Sequence, residues 1–133
     1  MYHILPAYTY ASRHAPKNNA SKWIQDCSKK INALDIEALN VDDFVQVCLD
    51  NKGDGADELI WVQLTMIDNW KGFSGKISNN PYDPKGIGVE MGTLVHFSLG
   101  HVIAIIERDD IYRHILHQHQ YMAGLQNANW MGM

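Results

Sequence analysis

The sequence predicts an α+β domain: an antiparallel sheet of four or five strands with an N-terminal and a C-terminal helix packed on it. Three observations lead there. From Glu58 to Ile67, Ile60, Val62, Leu64 and Met66 alternate with Leu59, Trp61, Gln63, Thr65 and Ile67. In an extended chain the two sets point to opposite faces, and the even set is expected to face a core. Asp68-Asn69 breaks that pattern, and Gly72 to Ser78 resumes it with Phe73 and Ile77 flanking Gly75, which makes a hairpin. Finally, Trp23, Ile24, Cys27, Ile31 and Leu34 recur at three- and four-residue spacings, with Lys22, Gln25, Asp26, Lys29 and Lys30 between them, as on an amphipathic helix.

Taken in order, Met1 to Ala20 mixes aromatics with Pro6, Pro16 and Asn18-Asn19 and shows neither period, so an irregular arm is expected. Tyr2, Ile4, Leu5, Tyr8 and Tyr10 are too apolar for a free tail. They are expected to pack on this subunit or on another copy, which would make the protein a homo-oligomer. Ser21 is a suitable cap for a helix running to Leu39. The β-branched content and alternation of Asp43 to Leu49 favour a strand. Asp50 to Asp57 is a polar, glycine-bearing loop that returns the chain into Glu58. The prolines and glycines of Asn79 to Gly88 are expected to exclude regular structure. Thr93 to Ser98 reads as a further strand, His101 to Ile106 as a short apolar element, and Asp109 to Leu125 as a closing helix with Asp109 and Asp110 at its N-terminus. The whole of 1–133 is expected to be one domain, with 43–106 as the sheet core.

Composition narrows the function classes. At 133 residues, 46% hydrophobic and 20% charged, the chain is long and apolar enough to bury a core without metal or disulfide support. A net charge of −4 without any run of Lys or Arg argues against nucleic acid and for a basic protein partner. The first fifteen residues lack a basic segment followed by an apolar run, and no stretch is long enough to span a bilayer, so no membrane association and a cytoplasmic location are expected. Cys27 and Cys48 both sit in apolar patterns that suit free, buried thiols.

Few residues point to chemistry. Asp50 to Gly55 resembles the first half of a calcium-binding loop, but Lys52 stands at the third ligand position and Trp61 at the twelfth, where a bidentate carboxylate is required. Gly86, Gly88 and Gly92 do not have nucleotide-loop spacing and are read as turn residues. No glycine-serine nucleophile elbow occurs, and Asp42-Asp43 and Asp57-Glu58 read as strand and loop flanks. No cofactor or catalytic residue is therefore indicated. His114, His117 and His119 form the densest histidine cluster. On a helix two of them share a face and, with His96 or His101, offer ligands for zinc, so a small metal-dependent hydrolase is one alternative function. A small-ligand binder capped by the Asn79 to Gly88 loop is another. The favoured reading is a non-catalytic interaction protein, an immunity or inhibitor protein, using Trp70 and Tyr82 as aromatic anchors with Asp68, Asn79, Asn80 and Asp83 as polar contacts. Trp23 and Trp61 are expected to fill the seam between helix and sheet.

The string Glu58-Leu59-Ile60-Trp61-Val62, followed by Ile67-Asp68, Phe73-Ser74-Gly75, Asn79-Asn80-Pro81 and Gly92-Thr93-Leu94-Val95-His96-Phe97, resembles the bacterial YegJ-like family, a domain of unknown function also found beside ankyrin repeats. The resemblance runs from about Phe44 to Ile106. It departs where Asn69-Trp70 replaces the usual turn glycine and where the closing Asp-Trp pair is missing. It implies a small α+β domain with a curved antiparallel sheet and brings no assigned activity. Small acidic bacterial proteins of this kind often act by binding, for example as toxin antidotes or phage-encoded inhibitors, so binding is what the resemblance leads one to expect.

Overall fold

The computed structural model describes residues 1–68 and 72–106. Among these residues the frame is an antiparallel sheet of six strands, more than the four or five expected because Ile4–Leu5 and Ala104–Ile106 each add a short one: β1 (Ile4–Leu5), β2 (Phe44–Leu49), β3 (Glu58–Asp68), β4 (Gly72–Ile77), β5 (Leu94–Phe97) and β6 (Ala104–Ile106). The strands β2 to β5 form a meander. A 3-10 turn at Leu99–His101 then brings β6 back onto β2, pairing Phe44 with Ile106 and Gln46 with Ala104. β1 pairs with the other half of the same edge, Leu49 opposite Ile4 and Cys48 opposite Leu5. With both edges of β2 occupied and β5 leading back to it, the sheet curls into a near-barrel.

The alternation in the sequence predicts which side is inside. Val45, Val47 and Leu49 of β2, Ile60, Val62 and Leu64 of β3, Phe73 and Ile77 of β4, and Val95 and Phe97 of β5 fill the interior with Ile87, Val89 and Val102. Fully burying each such side chain is worth about 1.5–3 kcal/mol. Gly75 permits the closest approach of β3 and β4, since a Cβ there would stand 2.5 Å from the Gln63 carbonyl oxygen.

Met66 is a correction: it is 59% exposed rather than turned inward. The β3–β4 register shifts between Leu64, opposite Gly75, and Met66, opposite Ser74. This bulge reverses the pleat, so Met66 points out and Ile67 packs against the core instead.

Three other expectations are corrected. Residues 1–20 are not an irregular arm, because β1 is followed by helix α1 (Ala7–Arg13). Pro6 stands just before its first turn, where a missing N–H costs nothing, and Ala7 and Ala11 form its buried stripe. The next helix, α2 (Ala20–Asn32), starts one residue before Ser21 with Asn19 in the left-handed region as its cap, and stops short of Leu39, leaving a separate 3-10 turn at Ile36–Ala38. The Asn79 to Gly88 loop does contain regular structure, the single turn α3 (Pro84–Ile87), because Asp83 caps it and Pro84 suits a first helical position.

α1 lies against β2, and α2 stacks on α1 through the rings of Tyr10 and Trp23, 6.0 Å apart, and a Tyr8 hydroxyl donating to Asn32 Oδ1. No residue of α2 is fully buried. The expected helix over Asp109 to Leu125, with His114, His117 and His119, lies outside the described residues, as does Trp70. No described helix is long and apolar enough to cross a membrane.

Candidate functional site

The loops at one end of the near-barrel are joined by side chains. The Glu58 carboxylate, at the first residue of β3, accepts from the backbone N–H of Tyr82 at 2.6 Å and of Asp83 at 2.8 Å. Asp83 in turn accepts from Gly86 N at 3.1 Å and from Asn51 Nδ2 at 2.9 Å. Asn51 also folds its own loop, accepting from Gly53 N at 2.8 Å, while Lys52 N donates to Gly86 O at 2.9 Å. The fit demands glycine at 86, where a Cβ would lie 2.2 Å from Asp83 Oδ2. The Asn51 side chain and the Gly86 N–H hold the Asp83 carboxyl below the ordinary range. On the adjoining side Asn79 Oδ1 accepts from Trp61 N at 2.8 Å, and Ser78 Oγ from Gln63 N at 3.1 Å. The result is a fixed loop from which Tyr82 projects 96% exposed.

Beneath it, the end of α1 is tied to the β2–β3 connection. Arg13 Nη1 donates to Asp50 Oδ1 at 2.8 Å and to Asp57 Oδ2 at 3.2 Å, and His14 Nε2 lies 2.9 Å from the same Asp57 oxygen. Asp57 Oδ1 accepts from Asn51 N at 3.0 Å. Burial of Asp57 would raise its carboxyl, but the Asn51 N–H, the His14 ring and the Arg13 guanidinium outweigh it and hold it low. Asp50, chiefly, and Asp57 hold the Arg13 guanidinium above its ordinary value. Cys48, only 1% exposed, lies next to this group. Burial, reinforced by Asp57, pushes its thiol up to about 12 despite Arg13, so unaided it is not a nucleophile.

The residues predicted to bind a partner therefore divide. Asn79, Asn80, Tyr82 and Asp83 lie together, with Asn79 and Asp83 serving as braces and Tyr82 and Asn80 exposed. Asp68 ends β3 at the opposite pole, beside a broad groove of about 870 Å³ lined by Leu34, Ile36, Glu37, Phe73 and Leu99 among others. The six residues of β4 separate it from the Asn79 end by about 20 Å at roughly 3.3 Å per residue. The histidines considered as extra zinc ligands are engaged locally: His96 Nδ1 is 2.7 Å from Ser74 Oγ, and His101 Nδ1 accepts from Ser98 N at 3.1 Å.

The grouping of His14, Cys48 and Asp57 escapes sequence reasoning. Its members are the residue that closes α1, a residue of β2 and the residue before β3, with no motif spacing, and only the pairing of β2 with β3 brings Cys48 opposite Leu59 near the Asp57 loop. Comparison with protein-family models, curated proteins and solved structures finds no match.

Proposed function

We propose that the protein is a non-catalytic interaction domain, an immunity or inhibitor protein, that engages a basic protein partner through the Asn79 to Gly88 loop. The observation that carries this is Tyr82: almost fully exposed, yet on backbone held at two successive N–H groups by Glu58. An aromatic on a fixed loop buries a large area at little ordering cost, which is what an interface anchor requires. Glu58, bonded to the Tyr82 backbone, and the neighbouring Asp83 place negative charge beside it, which favours encounter with a basic surface. Kinship with the YegJ-like domains is part of the same proposal. Its support is that Glu58 and Asn79, both in the shared pattern, hold this loop together. Packing of helices on the sheet as its outer cover, and a cytoplasmic setting, complete the reading.

A photo-crosslinking amino acid at position 82, compared with one at position 66 on the opposite part of β3, tests it in cells of the source organism. One discrete adduct to a basic protein is expected from position 82 and none from 66, and Tyr82→Ala should weaken the isolated complex at least tenfold. Equal labelling from both positions would overturn the proposal.

A further inference from the structure

We propose that Cys48, His14 and Asp57 form a binding site for a divalent transition-metal cation, with zinc the best fit to the donors. Cys48 Sγ, His14 Nε2 and a carboxylate oxygen of Asp57 all lie within 4.8 Å of one another. One thiolate, one imidazole and one carboxylate suit zinc, whereas calcium and magnesium take oxygen donors in larger numbers. Around a tetrahedral zinc the donor atoms stand about 3.3–3.8 Å apart, so His14 Nε2 and the Asp57 oxygen, hydrogen-bonded at 2.9 Å, must part slightly to admit the ion, while no two of the donors lie more than 4.8 Å apart. The part that moves is available, since His14 is the exposed residue closing α1. The part that should stay is fixed: Asp57 Oδ1 is held by Asn51 N, which turns Oδ2 toward His14, and Cys48 is clamped in the sheet opposite Leu5 and Leu59.

Arg13 is the obstacle, since its guanidinium shares Asp57 Oδ2, but it already has a shorter bond to Asp50 to fall back on. Once the cation binds, its two charges and that of Arg13 balance the two carboxylates and the thiolate. Bond formation between metal and sulfur releases the Cys48 proton to solvent, His14 exchanges its hydrogen bond to Asp57 Oδ2 for a bond from unprotonated Nε2 to the metal with its proton carried on Nδ1, and three protein donors leave the fourth position to water. The metal would then pin α1 to the sheet on the outer side of β2, below the Tyr82 loop.

The probe is Co²⁺, titrated into the full chain after treatment with a chelator and followed by absorption. One equivalent should produce the near-ultraviolet thiolate-to-cobalt charge-transfer band together with the visible bands of a tetrahedral ion, and one equivalent of Zn²⁺ should abolish both. Cys27→Ser should keep the band and Cys48→Ser should lose it. Because Cys48 is buried, His14→Gln, at an exposed position, provides a variant whose fold circular dichroism can verify, and it should lower Co²⁺ affinity at least tenfold. Absence of the charge-transfer band, its persistence in Cys48→Ser, or unchanged affinity in folded His14→Gln would overturn the site. Cobalt bound by histidines elsewhere gives no thiolate band and counts against it.

Discussion

The two faces of β2 differ in kind. Toward the barrel interior it presents Val45, Val47 and Leu49, which belong to the buried hydrophobic core. Toward the outside it presents Phe44, Gln46 and Cys48. There Ala7 and Ala11 of α1 are buried, and the polar group of Arg13, His14, Asp50 and Asp57 closes the seam. The inner face does the folding. The outer face, where segments distant in the chain meet, is where charge, sulfur and imidazole come together.

The sharpest way to break this contrast is at the interior. Leu64→Ala removes a fully buried side chain from β3 and should cost about 2–5 kcal/mol in urea unfolding. A loss under 1 kcal/mol would mean the interior is not packed as described. Next in size is Glu58→Gln. It leaves one acceptor oxygen for the N–H groups of Tyr82 and Asp83, so about 1–3 kcal/mol should be lost, and Glu58→Asp should not restore both bonds.

The polar seam predicts a pH dependence of defined sign. Asp57 is held low in the folded chain, so its contribution is complete above the ordinary carboxylate range and fades as the pH falls through its folded value. Stability measured by thermal melts should therefore be flat on its account above about pH 5 and decline in more acid solution. Asp57→Asn should be less stable at neutral pH and show a shallower acid decline. An unchanged slope would separate Asp57 from the acid response. The smallest effect is expected at Met66→Ser, which the bulge turns to solvent and which should change stability by no more than about 0.5 kcal/mol. A loss comparable to that of Leu64→Ala would show that the pleat is not reversed there.

The inner face is readable where strand period and apolarity coincide: alternation assigns Glu58 to Leu64, and alternation with β-branched content assigns Phe44 to Leu49. Thr65 marks where that stops, because a bulge depends on what Gly75 and Ser74 do on the neighbouring strand. α1 was hidden because its buried stripe is two alanines, while the residues that draw the eye, Tyr8 and Tyr10, lie exposed or half-buried. Of the predicted contact residues, Tyr82 was recognisable as an aromatic on a long loop. That Glu58 holds its backbone, and that Asp68 lies at the other pole, follow only from the topology.

Amide hydrogen exchange at Tyr82 and Asp83 goes most directly to the centre of the matter, the fixed loop that presents an exposed tyrosine. Both amides should be protected in the parent chain despite their position outside any strand, and Glu58→Gln should release at least one of them. Exchange at the rate of an unstructured peptide in the parent chain would contradict the preformed anchor.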